Sequence, residues 1–67
     1  MDVFELLQAR SSLIGITELA ELLAVNRETV WRWSRKATDA LPGIRLGAKI
    51  LFKPSDVVVW LTARQRF

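Results

Sequence analysis

The 67-residue chain contains no cysteine and no histidine. Without cysteine there is no disulfide framework, no thiolate metal site and no redox switch, and the absence fits a reducing cytosol. Without histidine the commonest general base and metal ligand is also missing. The seven carboxylates form no recognisable acid–base pair, and the three glycines form no phosphate-cradling loop. An enzyme, a cofactor and a metal site are therefore all unexpected. No apolar run approaches the roughly 20 residues that a membrane helix needs. Asp2 follows Met1 directly, so the start lacks the basic segment of a secretory signal, and a cytoplasmic location is expected.

What is present is an apolar chain with an uneven charge. Residues 1–67 are expected to form a single domain. A core of this size is marginal, because such chains bury only roughly 60% of their unfolded surface, but 51% of the residues are apolar and three are tryptophan. The net charge is +3. Residues 1–26 carry one arginine against four acids, net −3, and residues 27–67 carry nine Lys/Arg against three acids, net +6. Such asymmetry points to a side that faces a polyanion.

Basic charge starts inside the segment ITELAELLAVNRETVWRWSR, Ile16 to Arg35. Leu19 and Leu23 are four apart and share one helical face, and Val30 and Trp33 are three apart and share another. Ala20 is small where a second helix must approach. Asn26 lies between the two patterns and suits an N-cap, since its side-chain oxygen can accept an orphan backbone N–H. Apolar face, small contact residue, short turn, cap and apolar face together predict a helix-turn-helix. With Val30 and Trp33 inward, Arg27, Glu28, Trp31, Arg32 and Arg35 point outward or along the flank, and Lys36 follows them. Arginines on one helical surface can read guanine and hold phosphate; a merely solvated basic face is the bland alternative. Trp31 lies about 160–200° around the helix from Trp33 and cannot share its face. It has two open readings, packing on a sugar or thymine methyl, or lying over the hairpin or loop. Trp33 is expected to be a core anchor whose loss costs roughly 3–5 kcal/mol.

Asp2 and Glu5 resemble a capping box, and Val3, Phe4, Leu6 and Leu7 predict a short helix from Val3 to Ala9. It either completes the core or serves self-association. Arg10-Ser11-Ser12 reads as a loop, and Leu13-Ile14 leads into the first motif helix, capped by Gly15 or by Thr17. Lys36 to Gly43 is a second loop. The period then becomes two: Ile44 and Leu46, then Ile50 and Phe52, predict a two-stranded hairpin over about 43–46 and 49–53 with those four side chains facing the core. Gly47-Ala48 suits a type II′ turn. Arg45, Lys49 and Lys53 fall on or near the outer side and tip, forming a basic wing that can grip flanking phosphates or reach the minor groove. Pro54 suits the first position of a last helix and Asp56 its positive end. Val57, Trp60 and Leu61 make its buried stripe. That helix is expected to end near Ala63, leaving a basic tail, Arg64 to Phe67, either frayed or touching phosphate.

The pattern E-L-A-x-L-L-x-V, T-V-x-R-W, L-P with R-L-G, and F-K-P-S-D-V with W-L resembles the small MerR-type winged helix-turn-helix proteins, most of all the excisionase-like and AlpA-like group carried by phages and mobile elements. The resemblance spans roughly Leu13 to Leu61. It implies a fold that is mainly α with a small β-hairpin: short N-terminal helix, two helix-turn-helix helices, two-stranded wing and C-terminal helix. It implies a DNA-binding domain without catalysis, with Arg27, Trp31, Arg32 and Arg35 at the major groove and Arg45, Lys49 and Lys53 on or beside the wing. Ala24 stands where the family usually has glycine, so a left-handed backbone there would be strained.

The expected function is sequence-specific binding of double-stranded DNA, hence association with the nucleoid. The chain would act as an excisionase or recombination directionality factor with an integrase, or as a small transcription regulator with RNA polymerase. Either would use further copies on adjacent sites, because one small domain makes few base contacts. A different class, a protein-interaction module on a winged scaffold, would use Phe4, Trp31, Leu51 and Phe67 instead.

Overall fold

The computed structural model describes residues 2–10 and 12–64. Ser11 of the first loop and Gln65-Arg66-Phe67 of the basic tail lie outside the described residues. The element order is α1 (Val3–Gln8), β1 (Ile14–Gly15), α2 (Ile16–Leu23), α3 (Arg27–Ser34), β2 (Ile44–Leu46), β3 (Lys49–Phe52) and α4 (Pro54–Arg64).

Helix α1 starts on the anticipated capping box. The Glu5 backbone N–H donates to Asp2 Oδ1 at 3.0 Å, and the Asp2 N–H donates to Glu5 Oε1 at 3.3 Å. Leu7 is fully buried against the rest of the core, and α1 packs along α4. The helix therefore completes the core. An ion pair between Arg10 and Glu18 ties the segment after α1 to α2.

Gly15, not Thr17, is the N-cap of α2; its backbone is extended and no side chain caps the helix. Helix α2 ends at Ala24, which has φ 58° and ψ 40°. The Val25 N–H donates to the Ala20 carbonyl at 3.0 Å and the Ala24 N–H to the Glu21 carbonyl at 3.2 Å. These are the two bonds of a Schellman ending, whose left-handed position is normally glycine. Two residues later Asn26 caps α3: its Oδ1 accepts from the Thr29 N–H at 3.1 Å and from the Thr29 hydroxyl at 2.9 Å. The turn is thus closed by backbone geometry on one side and by a side chain on the other. Leu19, Ala20 and Val30 are buried where the two helices meet the core.

The expected two-stranded wing is present, and a third strand extends it. The sheet has three antiparallel strands in the order β1-β3-β2. Ile14 pairs with Phe52 and Gly15 with Leu51, so the residues that lead into α2, as expected, also cover one edge of β3. A two-stranded ribbon is marginal, and β1 supplies the third strand while burying Ile14 beside Phe52.

The facing of the hairpin, however, differs. Gly47 has φ 58° and Ala48 does not have positive φ, as a type II′ turn requires. A two-residue turn pairs Leu46 with Lys49, Arg45 with Ile50 and Ile44 with Leu51. Cross-strand partners share a face, so Ile44 and Leu46 lie with Lys49 and Leu51, whereas Arg45 lies with Ile50 and Phe52. The expected set of four core-facing residues would need a turn of odd length. Phe52 is fully buried and Ile50 half-buried, but Ile44 and Leu46 are 43% and 54% exposed.

Helix α4 begins at buried Pro54 and buries Val57 and Trp60, with Leu61 half-buried. It holds the loop after α3 in place. The Trp60 indole N–H donates to the Asp39 carbonyl at 2.9 Å. The Leu41 N–H donates to the Trp33 carbonyl at 3.0 Å, and Leu41 is buried. The Arg64 guanidinium lies 4.6 Å from the centre of the Trp60 ring and 3.8 Å from the Asp39 carboxylate. Trp33 is only half-buried; it rests on Trp60 with ring centres 5.4 Å apart. Val30, at zero exposure, is the true inward anchor of α3. No helix among the described residues is long and apolar enough to cross a membrane.

Candidate nucleic-acid interface

The outward face of α3 follows from the burial of Val30. Arg27, Glu28, Trp31, Arg32 and Arg35 are all exposed, as is Lys36 just beyond the helix. The Arg32 guanidinium reaches back one turn to the Thr29 hydroxyl at 3.4 Å, and that hydroxyl donates to Asn26. The cap that starts the helix therefore also biases the direction of Arg32. The Ser34 hydroxyl donates to the Trp31 carbonyl at 2.7 Å, satisfying an acceptor in the last turn.

Beside α3 lies the hairpin. A groove of about 380 Å³ runs between them, lined by Ile16, Arg27, Glu28, Trp31, Ala48 and Ile50. A second, smaller hollow is lined by Asn26, Glu28, Trp31 and Arg32. Trp31, a residue 40% exposed, lines both. Arg35, the C-cap residue just past the end of α3, has its guanidinium carbon 5.0 Å from the ring centre. Arg45 of β2 reaches the same ring at 5.8 Å.

The register explains this contact. Arg45 shares the sheet face of Ile50, which turns toward α3, so it projects across the groove instead of out to the far side. Lys49 belongs to the opposite face with Leu46 and Leu51, and Lys53 is exposed just after β3. The structure thus brings Arg27, Glu28, Trp31, Arg35 and Arg45 together, sets Arg32 on the adjoining flank, and holds Lys49 beside the turn, where it lines a further hollow with Arg27 and Ala48. Among the described residues the ion pairs join Arg10 to Glu18 and Arg64 to Asp39; none uses a cation of α3 or of the hairpin. The positive charge of this face is therefore left for an outside anion.

Two features were not foreseen from the residues. One is Arg45 as the partner of Trp31: a tryptophan lying over the hairpin was one of its two open readings, but not which hairpin residue would meet it. The other is the outer sheet face, where Leu13, Ile44 and Leu46 are exposed beside half-buried Leu51. Of the residues considered for a protein-binding surface, Phe4 and Leu51 are half-buried and Phe67 lies outside the described residues.

In a comparison with protein families, the family model described as a helix-turn-helix domain matches residues 13–65. The matched span takes in β1, the two motif helices, the hairpin and α4, and leaves out α1. Neither the curated proteins nor the solved structures contain a match.

Proposed function

The chain belongs to the helix-turn-helix domain family and is a DNA-binding protein of the excisionase- and AlpA-like kind; from that premise we propose that it reads a specific sequence in double-stranded DNA. Helix α3 enters the major groove, and the wing lies on the flanking backbone. The observation that carries this reading is the basic face of α3 and β2, which no ion pair among the described residues neutralises. Arg27 and Arg32 are placed to donate to the acceptor edge of guanine, and Glu28 can accept from a cytosine amino group. Arg35, Lys36, Arg45, Lys49 and Lys53 supply phosphate contacts, which position the domain without reading sequence.

Two or more copies on neighbouring sites would provide the specificity that one small module lacks. The role is that of a recombination directionality factor, bending DNA and recruiting an integrase, or of a small regulator acting on RNA polymerase, in a phage or mobile element. Both roles use the same DNA-facing surface. The exposed apolar outer face of the sheet favours a protein contact in addition to DNA, because it points away from the basic groove.

The test is a selection from random duplexes followed by footprinting of the wild-type chain and Arg32→Ala. The variant should lose the footprint while its thermal unfolding stays within about 0.5 kcal/mol of wild type, as for other exposed substitutions. An unchanged footprint at unchanged affinity would remove α3 as the reading element. With about six phosphate contacts, affinity should fall on the order of a thousandfold between about 50 and 200 mM salt. An apolar protein interface would show little of that dependence.

A further inference from the structure

We propose that Trp31 is a positioning residue, whose indole gathers Arg35 and Arg45 into one seat for a backbone phosphate between the end of the recognition helix and the wing. This rests on the DNA-binding reading above and extends it to a specific device. Arg35 is the C-cap residue of α3, and Arg45 comes from a different element, yet both guanidiniums lie against the same ring at 5.0 and 5.8 Å. Bringing two like charges together costs repulsion, and the negative face of the indole offsets it. A guanidinium stacked on an aromatic face keeps its in-plane N–H groups free. The ring therefore orients both arginines without consuming the donors that a phosphate needs.

The location makes the device necessary. The C-terminal end of a helix carries partial negative charge and repels an anion, so a phosphate can sit there only if side chains outweigh the dipole. Neither arginine is in an ion pair among the described residues. Holding one phosphate between helix and wing would set how deep α3 lies in the groove and how far it slides along it. Trp31 would then act on the DNA through the two arginines and not as a reader of bases.

The experiment uses the full chain and a duplex recovered by selection, titrated at several salt concentrations. Each lost phosphate contact lowers the logarithmic salt slope by about 0.9. Trp31→Leu should lower it by about one to two units, and Trp31→Phe, which keeps a ring, should stay near wild type. Trp31→Leu combined with Arg45→Ala should bind within about twofold of Trp31→Leu, since contacting residues are not additive. In the DNA-free protein, the side-chain protons of Arg35 and Arg45 should show ring-current shifts that vanish in Trp31→Leu. A Trp31→Leu protein that loses affinity at an unchanged slope would make the ring a direct DNA contact and overturn the proposal. Additive losses, or absent ring-current shifts, would overturn it as well. If the wild-type chain binds no duplex while the ring-current shifts are present, the DNA-binding reading fails first and the phosphate seat falls with it.

Discussion

Replacing Ala24 by glycine should make the protein more stable, although it removes a methyl group. Ala24 sits at φ 58° and ψ 40°, where an L-residue pays about 1–2 kcal/mol because its Cβ crowds the following carbonyl. Glycine escapes that cost but adds freedom to the unfolded chain worth about 0.4–1 kcal/mol. Ala24 is exposed, so its methyl contributes little packing that could be lost. The difference leaves a net gain of about 0.5–1 kcal/mol. For a domain of this size that corresponds to a rise in Tm of about 3–6 °C. Thermal melting followed by circular dichroism would measure it, and urea unfolding should show a higher midpoint at an unchanged slope. DNA affinity should not change, because the two Schellman bonds keep the angle between α2 and α3. A Tm that stays level or falls would mean that the turn is unstrained or that the methyl is doing packing work, and the argument would fail.

Three other outcomes are expected. Phe52→Ala should cost about 3–5 kcal/mol and leave the chain largely unfolded near 25 °C, since Phe52 has no exposure and lies where the sheet meets the core; a cooperative melt close to wild type would refute this. Asn26→Ala removes the cap of α3 and should cost about 1 kcal/mol, read as a Tm lower by roughly 4–8 °C. Trp60→Phe retains most of the ring but deletes the donor to the Asp39 carbonyl and should cost about 0.5–1.5 kcal/mol. Faster amide exchange in residues 35–41 should accompany it, because that hydrogen bond holds the loop against α4; unchanged exchange would show the loop is held by Leu41 alone.

Much of the architecture was legible because its signals are local. The capping box at Asp2 and Glu5, the cap at Asn26, the glycine of the II′ turn and the proline at the start of α4 each act within a few residues. A reading of neighbours in the chain therefore finds them. The outward set on α3 followed once Val30 was taken as inward, since a helix has a single period. The reading of Trp33 was less accurate. Its spacing put it on the inward face, but how deeply it sinks depends on Trp60, which comes from the far end of the chain.

Composition and local pattern were thus enough for the helices, the turn between them, the position of the hairpin and the sign of the charged face. Contacts between distant segments settled the rest. Strand β1 is two residues long, too short to display any period, and exists because the edge of β3 is there to pair with it. The parity of a two-residue Gly47-Ala48 turn already sets Ile44 and Leu46 apart from Ile50 and Phe52, so the expected four-residue core face conflicted with the expected turn; which of the two faces sank was left to the packing. That packing carried Arg45 to the groove beside Trp31 and left Ile44 and Leu46 in solvent. Only the packed chain could report which face was buried, because that depends on β1 and the helices that cover it.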